Sequence, residues 1–362
     1  MVSAKKDRER VEESVKHGGD IWSFSRSSGV SFEDIIDLSS NANDFYFPKI
    51  DFNSASSSIR YYPEVDLSLF KEKLSKLCLV SKDNVFLTAG LTDFVYQHMN
   101  RQAGRTAVVL TPSYGEFGNS GIASGVHTVR IPASILYNNP KILRNYKFST
   151  MVISRPEPPI GNFTDFDRIE SLLNIADEAR ASTVIDEAFI DFVMHYDRAD
   201  AQKMIGSHSS VYLGRSLTKV LPFPGLRIGY VLASQESVED LESKGRPWRI
   251  GQFDLSVLRQ VDLSFIGDLP GKVNIERQYL IKNMDELGYL VVGDPAANFV
   301  TFKTPSGVEC KDLSHFLAKH GIMIRCLRSF GSFDESYIRV AVKRREFLDR
   351  FLDAVRLFRH DG

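Results

Sequence analysis

Apolar positions along this 362-residue chain change their spacing partway through. Between about residue 80 and residue 234, short aliphatic and β-branched runs recur. They are Val85-Phe86-Leu87, Ala107 to Thr111, His127 to Ile131, Thr150 to Ser154, Thr183 to Asp186, Ser210 to Gly214 and Ile228 to Ala233. The gaps between them leave room for helices, so the rhythm predicts βαβ units and a mostly parallel sheet buried on both faces. Ile169, Leu172, Leu173, Ile175 and Ala176 follow helical spacing, and Asp167 to Ala179 therefore reads as a covering helix.

After about residue 250 the texture changes. Glu276 to Leu287 reads as a helix ending at Gly288. Phe299 to Phe302, Met323 to Arg325 and Tyr337 to Val342 read as strands, and Asp312 to Lys319 and Arg345 to Phe358 as helices. This is an α+β unit with its own core, and Ile35 to Pro48 is expected to pack with it. The fold class expected is α/β. A large domain over residues 50–250 carries a mostly parallel seven-stranded sheet, and residues 1–49 and 251–362 form a small α+β domain. There is no internal repeat, and Ser54 to Ser58 is a polar connector.

Composition narrows the partners. Hydrophobic residues at 43% and charged residues at 25% suit a soluble protein with a sizeable core. A net charge of −1 gives no global attraction to nucleic acid or an anionic membrane, so any phosphate must be held by a few placed residues. Cys78, Cys310 and Cys326 are odd in number and lack paired or metal-ligand spacing, which points to a reducing compartment. Met1 to Lys16 is charged without an apolar signal core, and no apolar run is long enough to span a bilayer. A cytoplasmic location is expected.

Two stretches carry chemistry. Gly214-Arg215-Ser216-Leu217-Thr218-Lys219 follows a strand, and Pro224-Gly225-Leu226-Arg227-Ile228-Gly229-Tyr230 comes soon after. Open α/β sheets bind ligands at such carboxyl ends. A lysine there, followed by prolines rather than a solvated helix, can lose hydration and become nucleophilic. Ser216 and Arg227 offer donors to a phosphate. A lone lysine is normally a solvated surface residue; the block as a whole argues otherwise. Asp186-Glu187-Ala188-Phe189 ends a second strand. A carboxylate buried there needs a partner, and a protonated pyridine nitrogen is a good one. A helix N-cap or a metal-binding Asp-Glu is the alternative, but no His or Asp stands nearby at ligand spacing, and no metal is expected.

Ser-x-Thr-Lys with Gly-Leu-Arg-Ile-Gly-Tyr, together with Asp-Glu-Ala-Phe, resembles the class I/II aminotransferase family of fold-type I pyridoxal-phosphate enzymes. The likeness spans nearly the whole chain. It implies pyridoxal 5′-phosphate held as a Schiff base on Lys219, with Asp186 sustaining the pyridinium and Tyr114 of Thr111-Pro112-Ser113-Tyr114 stacked on the ring. In Thr88-Ala89-Gly90-Leu91-Thr92-Asp93, Gly90 and the amides of Leu91 and Thr92 match the phosphate turn at a helix start, where exposed N–H groups attract an anion. Ser216 and Arg227 join them. Tyr62 of Arg60-Tyr61-Tyr62-Pro63-Glu64 matches the tyrosine that reaches the neighbouring subunit's phosphate, so a homodimer with shared sites is implied. Ala297-Asn298-Phe299 and Tyr337-Ile338-Arg339-Val340 match the small domain, where Arg339 grips the substrate carboxylate.

Within the family, His17-Gly18-Gly19, Lys219 to Tyr230, Arg246-Pro247-Trp248 and Tyr337 to Lys343 are most similar to the threonine-phosphate decarboxylases of cobalamin biosynthesis. The histidinol-phosphate aminotransferases of histidine biosynthesis are the next most similar. Both act on small phosphorylated amino compounds. Arg325 matches a second arginine that holds the substrate phosphate, helped by Asn41 of Ser39-Ser40-Asn41-Ala42-Asn43 and by His17. The plain alternatives are a surface strand arginine at Arg325 and, at His17, a solvated helix end capped by Gly18 and Gly19.

The pattern breaks in places. Arg155-Pro156-Glu157-Pro158-Pro159-Ile160-Gly161 stands for the family's Asn-Pro-Asn-Asn-Pro-Thr-Gly, and Pro158 cannot donate to the cofactor's phenolic oxygen as asparagine does. Losing that bond to a charged oxygen costs about 1.5–3 kcal/mol. Phe189 removes a second donor, Arg155 is a candidate replacement, and Thr88-Ala89 replaces Gly-Asn. These breaks keep a third reading open, a degenerate member that binds without turnover. A nucleotide-binding α/β protein is disfavoured, since neither a dinucleotide fingerprint nor a phosphate-loop lysine motif is present.

Overall fold

The apolar runs between Val85 and Leu232 form one sheet in a computed structural model, which describes residues 17–65 and 67–361. Met1 to Lys16, read above as a charged segment, lies outside the described residues. The chain divides into two units by its contacts. The larger comprises Ala42–Pro158 and Asn162–Lys272; the smaller comprises the described residues through Asn41, Pro159–Gly161, and those from Val273 onward. Residues 42–49 and 251–272 thus group with the larger unit, although the sequence reading assigned them to the smaller. The Asn43 amide donates to the Lys219 carbonyl at 2.8 Å, which ties the first stretch to the sheet domain, while Asp51 and Gln260 exchange hydrogen bonds and the helix Gln252–Gln260 packs on Phe52–Ser57.

In chain order the first strand is β1 (Ile36–Asp37), in the smaller unit. The larger unit's strands follow as β2 (Val85–Thr88), β3 (Thr106–Thr111), β4 (His127–Pro132) and β5 (Thr150–Ser154). They continue with β6 (Ser182–Asp186), β7 (Val211–Ser216) and β8 (Gly229–Leu232). Their order across the sheet is β2-β8-β7-β6-β5-β3-β4. Only β8 is antiparallel to its neighbours, β2 and β7. Because β8 runs backwards, its amino end lies at the same edge as the carboxyl ends of the other six. Every residue of β2, β5 and β8 is buried, as expected where helices cover both faces. Phe166–Glu178 turns Ile169, Leu172, Leu173, Ile175 and Ala176 into the core, as their spacing predicted.

The smaller unit holds β9 (Leu290–Val291), β10 (Phe299–Lys303), β11 (Ile322–Met323), β12 (Arg325–Cys326) and β13 (Tyr337–Ala341). Four of these form a sheet in the order β12-β13-β10-β9, while β11 pairs in parallel with β1. The single strand expected from Met323 to Arg325 is therefore two, because the chain leaves β1 at Ile324 and joins β13. Buried Arg277 donates to the carbonyls of Ala296 (3.1 Å) and Ala297 (2.9 Å), holding the turn before β10.

The cysteine reading needs correction. Cys310, first residue of the helix Cys310–Lys319, is joined by a disulfide to Cys326 of β12, 16 residues on. The turn through Gly321 folds the strand back beside the helix start and brings their Cα atoms to 5.8 Å. Only Cys78, buried in the larger unit, is free, so the cysteines no longer argue for a reducing compartment. No described helix is long and apolar enough to cross a membrane. Replacing both partners (Cys310→Ser with Cys326→Ser) is expected to destabilise the protein by about 2–4 kcal/mol, the usual loss on opening a loop of this length. Urea unfolding with and without a thiol reductant measures it; an unchanged midpoint would refute the contribution.

Candidate active site

The site residues predicted from sequence fall into two groups, one in each unit. The larger unit's group lines the sheet edge where strands end. Asp186 closes β6 and Ser216 closes β7, while Arg227 stands two residues before β8, whose reversed direction brings it to that edge. Thr88, Gly229 and Ser216 stand in one row across β2, β8 and β7. Gly90 then opens the helix Leu91–Asn100 at φ 77°, with no side chain capping the first amides.

This helix start lies unusually close to the strands. A methyl group on Gly229 would stand 2.8 Å from the Leu91 nitrogen, and one on Gly214 would stand 2.3 Å from Cδ1 of Leu91. A methyl on Gly90 would meet Nη2 of Arg227 at 2.9 Å. The exposed guanidinium thus lies beside uncapped amides at a helix N-terminus, with Ser216 in the adjacent row. That cradle suits an anion. Thr92 Oγ1 and the Tyr114 hydroxyl lie 3.3 Å apart, so Tyr114 is anchored to the same turn; burial raises its pKa.

Lys219 sits half-buried in a single helical turn, Leu217–Val220. Thr218 pins that turn by donating its amide to the Ile228 carbonyl (3.2 Å) and its hydroxyl to Leu226 (3.2 Å). The Lys219 carbonyl accepts from the Asn43 amide at 2.8 Å, and its Nζ lies 6.0 Å from the Phe189 ring centroid. Burial pushes Asp186 up to about 6; the Ala188 amide, donating at 3.0 Å, pulls it down, Glu187 pushes it up and Lys219 pulls it down. A buried carboxylate raised in this way is short of positive charge. Tyr62 stands apart: it is 81% exposed, and its ring rests on Trp248 at 4.9 Å.

Arg155, the candidate replacement donor, is engaged elsewhere. It is fully buried, 3.1 Å from Glu187 and 3.5 Å from Asp200, with its guanidinium 4.9 Å from the Phe163 ring centroid.

The smaller unit's group centres on two arginines. Arg325 of β12 and Arg339 of β13 are register partners, and both are buried. Arg339 donates to the Ser39 carbonyl (3.0 Å) and lies over Phe299; Arg325 donates to Ser329 Oγ (2.9 Å). Burial pulls Arg339 down to about 9, the neighbouring Arg325 pulls it further, and Asp37 pulls it back up. A guanidinium keeps its proton regardless, so the shift expresses a demand for anions. Asn41 is buried with its Oδ1 unpartnered, and its carbonyl accepts from Asn298 at 2.9 Å. His17 is exposed beside Gly18-Gly19, a turn packed on Ser39 through a 2.8 Å bond from the Gly19 amide. Gly18 and Gly19 precede the helix Ile21–Ser28, which is capped by Asp20.

Sequence reasoning passed over Asp37. Its Oδ1 gathers the amides of Ser39 (2.9 Å) and Ser40 (3.1 Å) and so shapes the turn that faces Arg339. An Asp two residues ahead of paired serines is a turn signal that was there to be read. Glu187, named only as part of a motif, binds two arginines.

The fold is that of fold-type I enzymes. A histidinol-phosphate aminotransferase from Sinorhizobium meliloti, solved in complex with pyridoxal 5′-phosphate, has a TM-score of 0.78 at 17% identity, covering 92% of this chain and 94% of that one. The chain belongs to the family described as aminotransferase class I and II, whose model matches residues 33–355. A protein of Caldanaerobacter subterraneus subsp. tengcongensis assigned as a threonine-phosphate decarboxylase is 25% identical, over 83% of this chain and 84% of its own length. A histidinol-phosphate aminotransferase of Methanosphaera stadtmanae is also 25% identical, over 91% of each.

The buried carboxyl of Asp186 makes stability depend on pH. Because its pKa rises from 3.8 to about 6 on folding, its contribution is complete below about pH 4 and is lost as pH rises through about 6. Asp186→Asn stays neutral. In cofactor-free protein it is therefore expected to gain up to about 3 kcal/mol on wild type between pH 4 and pH 7.5. Denaturant unfolding at both pH values tests this; an equal difference at both would count against it.

Proposed function

We propose that this chain is a pyridoxal-phosphate enzyme acting on a small amino acid that carries both a carboxylate and a phosphate. The observation carrying this reading is the pair Arg325 and Arg339, both buried and adjacent across β12 and β13. Two buried cations side by side repel each other and lose hydration, a cost offset when anions reach both. Arg339 binds the carboxylate. Arg325, with Asn41 and His17, binds the phosphate.

The larger unit's residues fit the cofactor. Gly90, the Leu91 and Thr92 amides, Ser216 and Arg227 would hold its phosphate, and Tyr114 would lie on its ring. Asp186, raised by burial and short of a cation, would hold its protonated ring nitrogen. Lys219 would hold the cofactor through Nζ, and the same amine would be the group that moves a proton at the substrate Cα. When bound, the cofactor supplies an electron-withdrawing ring for charge developing at that carbon. The enzyme acts as a homodimer in which Tyr62 reaches the neighbouring copy's phosphate. Exposed Ile59, Tyr61, Val65, Leu69 and Trp248 around it support an apolar interface.

Decarboxylation of threonine phosphate is the preferred reaction. Transamination of histidinol phosphate is the second reading, favoured by the Methanosphaera relative, which matches more of the chain. A member that binds without turnover is the third, motivated by Pro158 and Phe189.

Reconstituted protein is expected to show a visible absorbance band of lysine-bound cofactor that Lys219→Ala abolishes; no band would sink the cofactor reading. Threonine phosphate is expected to release carbon dioxide without 2-oxoglutarate. Product from histidinol phosphate or threonine phosphate formed only with 2-oxoglutarate would favour transamination, and none from either or from any other phosphorylated amino acid would favour the binder. Arg325→Met is expected to raise KM for the phosphorylated substrate about 10- to 150-fold, the equivalent of about 1.5–3 kcal/mol for a charged hydrogen bond.

A further inference from the structure

One buried charged row lies beyond the residues assigned above. Ser154, Asp186 and Gly214 stand opposite one another across β5, β6 and β7. The next row holds Arg155, Glu187 and Arg215. The ladder continues through it, since the Arg155 amide donates to the Asp186 carbonyl at 2.9 Å and the Glu187 amide to the Gly214 carbonyl at 2.7 Å. Alternation along a strand sends these side chains to the face opposite Asp186. Each of the three is at most 1% exposed.

The row reads cation, anion, cation. Arg215 grips Glu187 with two nitrogens, at 2.9 and 2.8 Å, and donates to the Tyr196 hydroxyl at 2.6 Å. Arg155 approaches from the other side at 3.1 Å, but without hydrogen-bond alignment, because Nε of Arg155 and Oε1 of Glu187 have no hydrogen-bond partner. Charge and the rings of Phe163 and Tyr196 hold it there. Arg215 satisfies only Oε2 of Glu187, so Arg155 brings a second positive charge to the oxygen that Arg215 leaves without a hydrogen bond. Its nearest counter-charge beyond the row, Asp200, is 3.5 Å away and partly exposed. The titratable groups that act electrostatically with Asp186 are Lys219 and Tyr114 and, from behind the strand, Glu187. Glu187, next in the chain, is the one that disfavours its ionised form.

We propose that Arg155 is a positioning residue for Asp186: by clamping Glu187 from the β5 side it fixes the β6 strand end and cancels Glu187's repulsion of the Asp186 carboxylate. Asp186 then stays ionised where burial alone would protonate it. The consequence for catalysis rests on the proposed function, since an ionised Asp186 is what keeps a pyridine nitrogen protonated. The clamp itself does not.

The test reads Asp186 directly. Carbon-13 NMR of full-length protein labelled at the aspartate carboxyls gives its titration, the signal being identified by its loss in Asp186→Asn. In cofactor-free wild type the midpoint is expected near 6. Arg155→Met should raise it by about one unit, the effect of removing one nearby buried cation. Arg155→Lys keeps the charge and should return it towards wild type. A packing role would lower the stability of both variants without moving the midpoint. Asp200→Asn, a milder change that unmasks Arg155, should lower the midpoint and decides the matter if Arg155→Met does not fold. A midpoint unmoved in Arg155→Met, or unmoved or raised in Asp200→Asn, overturns the proposal. The same variants titrated with pyridoxal phosphate separate the two claims. Shifted midpoints without cofactor binding would refute the proposed function alone, and cofactor binding with unmoved midpoints would refute the clamp alone.

Discussion

The start of the helix Leu91–Asn100 can reach the strands only where side chains are missing, and the larger unit's site depends on that approach. Gly214 and Gly229 leave room for the Leu91 side chain and amide, and Gly90 leaves room for Arg227. A β-carbon at Gly229 would meet the helix backbone at Leu91 and Gly90 and push the helix end, with its free amides, away from the sheet edge; one at Gly214 would displace the Leu91 side chain. The φ of 77° at Gly90 adds a second reason why no other residue serves there. Three glycines, distant in sequence, thus set the position of one helix end. Arg227 joins them because β8 runs backwards and starts where its neighbours finish.

Around this geometry both units bury charge without satisfying it internally. Asp186 is pushed towards its neutral form, and Arg339 is pulled down by burial and by Arg325. Such groups weaken a fold unless something binds them. Their signs are complementary to what each site would receive: a carboxylate for a cationic ring nitrogen, paired guanidiniums for two anions. The buried Arg155–Glu187–Arg215 row shows the contrasting case, in which charge is paired within the protein.

Much of this was legible in the sequence. The seven strands and the helix Phe166–Glu178 announce themselves by pattern, because six of the strands are largely buried on both faces, the edge strand β4 keeps a β-branched run, and the helix is buried on one face. The placement of Asp186 at a strand end and of Lys219 just past one was legible from the apolar runs before them, whereas the Gly90 turn was suggested by the family resemblance. What was missed depends on contacts between distant segments. Nothing local reveals that Cys310 and Cys326 meet, since their meeting depends on the turn at Gly321 and the passage of the chain from β1 to β13. Arg155 looked free to face a cofactor because its loop aligned with a donor. Strand alternation sends its side chain to the opposite face instead, a consequence visible only once Ser154 and Asp186 are known to stand opposite each other.

That same alternation bears on how far this chain departs from its family's pattern. Pro158 and Phe189 remove two donors near Lys219, and the Phe189 ring is a neighbour of the lysine nitrogen. With Arg155 directed away, no charged residue of that loop's start compensates on Lys219's side. Polar control of the site then falls to what remains: Asp186 at one strand end, and Tyr114 held by Thr92 near the phosphate turn. The Arg155 row lies one residue further on, behind Asp186, where its charge is paired within the protein.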